Sequence, residues 1–448
     1  MEERKENKMG VMPVNKLLIN MSLPIMISML VQALYNIVDS IFVGMYNPDA
    51  LTAVSLAFPV QSLMIAFSVG TGVGINSLLA RRLGEKRFEE ANASATNGLF
   101  LAAVTAVIFA VLGGIFSHTF MAAFTKNQTV VKMGTEYLMI CTIFSIGSFL
   151  QVTAERLLQA TGQTIYNMIT QLSGAIVNII LDPILIFGLF GLPKMGIVGA
   201  AVATVIGQFV GMGLAIYLNH KKNHEISISF KGFKPNGKII GDIYKVGFPS
   251  IIMQSVTSVM TVGMNKILGS DNAITVLGVY FKLQSFIFMP VFGLSSGMVP
   301  IVGYNFGARH KDRIVATIKM AVILSVSIMF VGMVVFLAVP KALLLMFGAA
   351  DEVVKLGIPA LRILSLSFCL AGVGIILSSV FQAIGNGVLS LIMSLIRQLV
   401  VILPVAFILN ILFGVNAVWY AFLIAEGVSL ALGLILYKRV YMNVLSKL

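Results

Sequence analysis

Charge is scarce in this 448-residue chain, with 11% of residues Asp, Glu, Lys or Arg, where an ordinary soluble domain carries roughly 25%. A water-facing surface cannot be built from so few charges. Cysteine is nearly missing too: Cys141 and Cys369 both fall in apolar segments, which leaves no disulfide framework or thiolate metal site and marks them as packing residues. The four histidines, His118, His220, His224 and His310, lie in or beside loops without metal-ligand spacing. No glycine-lysine phosphate loop occurs, so ATP does not drive the chain directly. Acid-rich pairs three or four residues apart are missing from the apolar segments, which argues against a membrane-embedded transferase and against enzymatic function. No cofactor is expected.

What is abundant is apolar sequence, 58% of residues. Apolar runs of about 20 residues recur along the whole length, each long enough to cross a hydrocarbon core of roughly 30 Å as a helix. The pattern predicts an all-α polytopic membrane protein with twelve transmembrane helices, near 15–43, 51–80, 93–117, 132–155, 162–188, 196–218, 241–268, 273–300, 314–338, 355–380, 388–412 and 415–437. The N-terminus, "MEERKENKMGVMPVNK", lacks the apolar core and small-residue cleavage site of a signal peptide, so helix 1 is expected to stay as an anchor.

The net charge of +13 raises the question of a nucleic-acid partner. The cations answer it by their placement. Arg4, Lys5, Arg81, Arg82, Lys221, Lys222, Lys238, Arg309 and Arg313 fall on one side of the predicted helices, and Lys126, Lys132, Lys194, Lys266, Lys341 and Lys355 on the other. This is a positive-inside bias. It reports topology, with both termini in the cytoplasm of a cell-membrane protein, and no nucleic acid is expected.

Polar residues 219–240 divide the chain almost in half, predicting one lobe over 1–218, a cytoplasmic linker over 219–240 and a second lobe over 241–448. The halves repeat each other. At a constant offset of 223, Phe58 pairs with Phe281, Gln61 with Gln284, Gly70 with Gly293, Gly74 with Gly297, Gly84 with Gly307, Gln159 with Gln382 and Gly162 with Gly385. "GTGVG" at 70–74 and its partner "GLSSG" at 293–297 read as close helix packing and not as a nucleotide site. Six helices per lobe is an even number, so the repeat is parallel, and two such bundles can rock to give alternating access.

Ionisable groups inside the apolar runs are costly and mark function by default. Asp39 in "YNIVDSIFVG" of helix 1 and Asp182 in "NIILDPILIFG" of helix 5 are the clearest. Asn178 lies four residues before Asp182, on the same helix face, and Pro183 after it removes a backbone donor and favours a bend. Two acids and an amide facing one interior suit a proton or a sodium ion. The offset takes Asn178 to Val401 and Asp182 to Val405. A role in packing alone would recur in both lobes, so the asymmetry points to an ion site in the first. The second lobe has Gln254, Lys282, Arg397 and Glu426 instead, read either as substrate contacts or, for the last two, as a buried ion pair. Tyr35 and Asn36 of helix 1 join them as candidate cavity residues. Glu155 and Arg156 read as an interfacial pair at the end of helix 4.

These motifs, with "LPIMISMLVQALYNIVDSIFVG", "LLQATGQ" and "GAAVATVIGQ", resemble the multidrug and toxic compound extrusion (MATE) family over essentially the whole chain, most closely its bacterial branch. The resemblance implies a monomeric antiporter in the lipid bilayer that exports small organic, often cationic or amphipathic, compounds as H+ or Na+ flows inward. It assigns cation binding to Asp39, Asn178, Asp182 and, more weakly, Thr204, and helix bending to Pro24. A flippase of the wider superfamily, moving a lipid-linked sugar or other amphiphile, is the alternative with the same architecture; only Lys282 and Arg397 lean toward it.

Overall fold

The computed structural model describes residues 6–448, which leaves Arg4 and Lys5 outside the described residues. Ten continuous helices are long and apolar enough to span a bilayer, and two bent pairs bring the number to twelve. They are α1 (Val14–Tyr46), α2 (Pro48–Gly84), α3 (Phe88–Phe124), α4 (Gln128–Ile143 with Ile146–Ala160), α5 (Thr164–Phe187), α6 (Ile197–Lys222), α7 (Gly237–Leu268), α8 (Asp271–Gly307), α9 (Lys311–Ala338), α10 (Asp351–Ser365 with Phe368–Ala383), α11 (Gly387–Phe413) and α12 (Tyr420–Asn443). Several outrun the apolar segments that betray them. The 37 residues of α2 make a rod of about 55 Å at 1.5 Å per residue, because its last turns, with Arg81 and Arg82, continue beyond the apolar run. The bends in α4 and α10 measure 46° and 48° and occur at Ser145 and Ser367, not at proline. Ser367 Oγ turns back to the Leu364 carbonyl at 2.7 Å, a local bond of the kind that bends helices, and Ser145 Oγ reaches across to the Ala106 carbonyl of α3 at 3.3 Å.

The repeat is visible in the backbone. Helices α2 and α8, α3 and α9, and α5 and α11 each begin 223 residues apart. The turn after α2 holds Lys86 at φ 59° and the turn after α8 holds Arg309 at φ 60°, left-handed positions that side chains seldom adopt. Gly162 and Gly385 both sit at φ 88°. The constant offset ends inside α11, where Ile396–Val401 is π-helical. A π turn adds one residue to a helix. The equivalent of Asp182 therefore shifts from Val405 to Ala406, and the position stays apolar.

The chain packs as two compact units, and these do not follow the predicted lobes. One contains Ile27–Gly247; the other contains Met1–Met26 together with Phe248–Leu448. The boundaries fall beside Pro24 in α1 and Pro249 in α7. Residues 219–240, read from sequence as a tether, belong to the Ile27–Gly247 unit: Ser227 N donates to Asn92 Oδ1 at 2.7 Å, Asn236 N to Asn97 Oδ1 at 3.0 Å, and Phe233 packs on Phe100 with centroids 5.5 Å apart. The paired glycines explain the boundaries. A Cβ on Gly74 would lie 2.2 Å from the Ile243 carbonyl oxygen of α7, and one on Gly297 would lie 2.7 Å from Ser22 Cα of α1. Each unit thus admits the first turns of a helix that the other unit completes.

In the Ile27–Gly247 unit one buried cluster sets five alanines, Ala50, Ala53, Ala57, Ala200 and Ala201, among larger residues such as Met121 and Tyr137, and a second holds Phe109 and Phe149. The other unit is filled by rings, with Tyr280, Phe336, Phe368, Trp419 and Phe422 in one buried cluster and Phe336 and Phe368 at 5.1 Å in edge-on contact.

Candidate cation-binding site

Three helices of the Ile27–Gly247 unit converge on the acids. Asp182 on α5 is fully buried and Asn178, one turn earlier on the same face, is 3% exposed. With its oxygen toward α6, the Asn178 amide accepts from Thr204 N at 3.1 Å and Thr204 Oγ1 at 3.3 Å, and it donates to Asp182 Oδ2 at 3.2 Å. Glycine permits this approach of α5 to α6: a Cβ on Gly207 would stand 2.7 Å from the Gly174 carbonyl. From α1, the Asp39 carboxyl meets that of Asp182 within hydrogen-bonding distance.

Two bare carboxylates repel by about 4 kcal/mol at 4 Å in a medium of effective dielectric constant near 20. A contact this close is favourable only with a proton or a cation between them. Asp39 Oδ1 is buried and has no hydrogen-bond partner, which leaves an acceptor directed at whatever neutralises the pair. The donor set, carboxylate, amide and hydroxyl oxygens, is hard and fits a proton or a small hard cation. Among the described residues no three His, Cys, Asp or Glu gather as they would for a transition metal.

Residues that the sequence did not single out surround the pair. Gln61 Nε2 donates to Tyr137 Oη at 3.0 Å, Tyr137 hydrogen-bonds Cys141, and Tyr137 and Cys141 both feel the Asp39 charge. Tyr35 lies within electrostatic reach of both acids, whereas Asn36 is exposed and only its backbone carbonyl is engaged, by Ser40 Oγ at 2.9 Å. Pro24 and Pro183 lie inside continuous helix.

Glu155 corrects the sequence reading. It is 3% exposed and receives three side-chain donors, Gln151 Nε2 at 3.0 Å, Thr170 Oγ1 at 3.1 Å and Gln171 Nε2 at 2.9 Å. Arg156 instead donates to Gln159 Oε1 at 2.8 Å. The pattern i, i+4 in "QVTAE" could have suggested Gln151 as partner, but Thr170 and Gln171 come from another helix and leave no local signal.

In the other unit, Gln254 and Lys282 are exposed, and the Lys282 ammonium stands 6.0 Å from the Phe347 ring centroid. Arg397 and Glu426 meet, Nη1 to Oε1 at 3.2 Å.

A helical bundle duplicated in register, with an acid pair among the described residues of one half and apolar residues at the equivalent positions of the other, defines the class as a membrane transporter. The MatE family model matches residues 24–184 and again 246–408, and the chain belongs to that family. Among curated relatives, the Multidrug export protein MepA of Staphylococcus haemolyticus (strain JCSC1435) is 33% identical over 418 residues, covering 92% of this chain and 91% of that one. MepA of Staphylococcus aureus (strain MRSA252) is 30% identical over 430 residues, covering 95% and 94%. A solved outward-facing multidrug resistance MATE family transporter of the MOP superfamily aligns with a TM-score of 0.92 at 27% identity over 100% of both chains.

Proposed function

We propose that the chain is a multidrug exporter of the cell membrane, with both termini in the cytoplasm, that exchanges small organic, often cationic or amphipathic, compounds for inward H+ or Na+. The observation that carries the coupling is the Asp39–Asp182 contact, buried against Asn178 and Thr204 and leaving Asp39 Oδ1 unpaired. The multidrug cargo rests on the MepA relatives.

A cation arriving from outside bridges the two carboxylates, and its release inside leaves them repelling. That difference is free energy available to bias two conformations, since a ligand shifts an equilibrium only by its differential affinity. Asp39 rides on α1 and Asp182 on α5, so the bridge couples these helices. Pro24 supplies the hinge, because a helix lacking one ladder bond bends more readily, and Pro183 gives α5 the same freedom. Drug leaves as the cation enters, and cation release resets the acids.

Reconstituted vesicles with independently set pH and sodium gradients test this reading. Export should collapse when one gradient alone is dissipated, which names the ion, and Asp39→Asn should abolish gradient-driven export. Full export by Asp39→Asn would refute the assignment.

A further inference from the structure

Residues 219–240 carry five lysines, Lys221, Lys222, Lys231, Lys234 and Lys238, against one acid, Glu225. All five lysines are exposed. Elsewhere on the Ile27–Gly247 unit the charged helix ends neutralise one another: Arg82 meets Glu85, Glu90 and Asp242, Arg87 meets Glu85 and Glu90, and Lys245 meets Asp242. Among the described residues none of the five lysines has such a partner. The Lys221 ammonium lies 5.5 Å from the Tyr217 ring centroid, a contact that leaves its charge in place. The surplus positive charge is therefore open to a ligand from outside the chain.

The height of this segment on the bundle is an independent observation. Ser227 N is tied to Asn92 and Asn236 N to Asn97, and five residues of α3 separate these anchors by about 7.5 Å along the helix. That is close to the thickness of one headgroup layer, about 5–8 Å. Phe233 packs on Phe100 with centroids 5.5 Å apart and Phe230 on Phe233 at 5.7 Å, so three rings lead outward from α3 and end at Phe230, which is 55% exposed. From Phe100 to Phe116 α3 has no charged residue, so Phe100 marks where that helix enters hydrocarbon. Aromatic rings and lysine stems belong at this boundary.

We propose that the segment 221–238 is a docking surface for anionic phospholipid, with its lysines on the headgroup phosphates and the Phe230 ring at the outer edge of the acyl chains. Charge decides between lipids. A zwitterionic headgroup sets an ammonium beside each phosphate and cancels most of the attraction, whereas an anionic one leaves a surface potential that draws every lysine within a Debye length. Insertion of an apolar ring and attraction of a polybasic run add at such a surface, and this segment has both. The anchors on α3 hold it at headgroup height before lipid arrives, so little chain ordering opposes binding. The inference stands apart from cation coupling, because it involves neither acid and needs no gradient.

Hydrogen exchange on the full-length protein in lipid nanodiscs tests this. Backbone amides over 221–238 should exchange at least about fivefold more slowly in discs of phosphatidylglycerol with phosphatidylcholine than in phosphatidylcholine alone, the factor that one lysine supplies at a charged surface. Glycerol phosphate added to phosphatidylcholine discs should give no protection, because free phosphate brings no surface potential. Lys231→Gln/Lys234→Gln/Lys238→Gln alters exposed side chains only and should abolish the protection. Lys438→Gln/Arg439→Gln/Lys447→Gln, an equal loss of exposed charge near the C-terminus, should keep it. The fluorescence gained by Phe230→Trp should be quenched by lipid brominated on its acyl chains. Equal exchange in the two lipids, as expected of a surface reserved for a soluble acidic partner, would overturn the proposal. So would protection by glycerol phosphate alone, equal losses in the two triple variants, or fluorescence that brominated lipid leaves unquenched.

Discussion

At the charged ends of α2 and α8 the two halves solve one problem with opposite chemistry. In the Ile27–Gly247 unit, Arg82 on α2 pairs with Glu90 on α3 at 3.1 Å and with Asp242 on α7 at 3.5 Å. The same offset leads to Asn305 on α8 and Arg313 on α9, whose Oδ1 and Nε also lie 3.1 Å apart; here the cation has changed helices. Arg313 and Asn305 then grip backbone carbonyls, Arg313 Nη2 reaching Met9 O at 2.9 Å and Met12 O at 2.7 Å, with Asn305 Nδ2 on Met9 O at 3.0 Å. The fold requires a three-way bridge at this place but not a particular set of charges. Where the fold's demand is real, the repeat keeps the bridge and varies its chemistry. At Asp182 the repeat keeps nothing polar, which supports the proposed coupling role for the acid over a demand of packing.

That contrast can be broken most severely at the acids. Asp182→Asn should reduce gradient-driven export in vesicles to the level of vesicles without protein while leaving the folded fraction unchanged in detergent. The reverse change, Ala406→Asp, places an unpartnered acid in the other unit, and insertion scales put such a charge at roughly 2.5–3.5 kcal/mol; a sharply lower folded yield by size-exclusion chromatography checks it. Next come the glycines, where the repeat predicts equal losses. Gly74→Ala and Gly297→Ala each force backbone apart, with a cost of about 1–3 kcal/mol, read as a fall in thermal unfolding temperature; a loss for one alone would show that the helix starts are not held equivalently. Glu155→Leu strands the donors of Gln151, Thr170 and Gln171 and should destabilise by about 1–3 kcal/mol, whereas Ser378→Leu at the equivalent position should do less. The smallest effect belongs to Arg82→Gln. Its partly exposed pairs are each worth about 0.2–1 kcal/mol, so the thermal shift should be slight and should vanish in high salt.

The twelve spans, the duplication and the first-lobe polar cluster were legible in the sequence because each is written in a period or an anomaly: apolar length, a constant offset, an acid among aliphatics. Thr204 was less visible, since a threonine in an apolar helix is common, and only the approach of α6 to α5 puts it on Asn178. The partners of Glu155, the π turn at Arg397 and the bends at Ser145 and Ser367 arise from contacts between distant segments, which leave no local pattern. The compact packing units divide the chain differently from the repeat lobes for the same reason. Polarity marks where the chain leaves the bilayer, whereas packing decides which unit a helix belongs to, and at Gly74 and Gly297 the packing exchanges the beginnings of α7 and α1.

That exchange also sets an order of assembly during synthesis. Residues 14–26 have their packing partners in a unit whose other residues begin at Phe248, so they must wait for more than two hundred further residues to emerge. Contacts of such sequence separation form late and slowly. The Ile27–Gly247 unit is likewise incomplete until the first turns of α7 arrive to close over Gly74. A chain cut at the central polar stretch leaves the N-terminal fragment without the start of α7 and the C-terminal fragment without residues 14–26, so neither should fold when expressed separately, and moving the cut to just after Gly247 should rescue the N-terminal fragment alone.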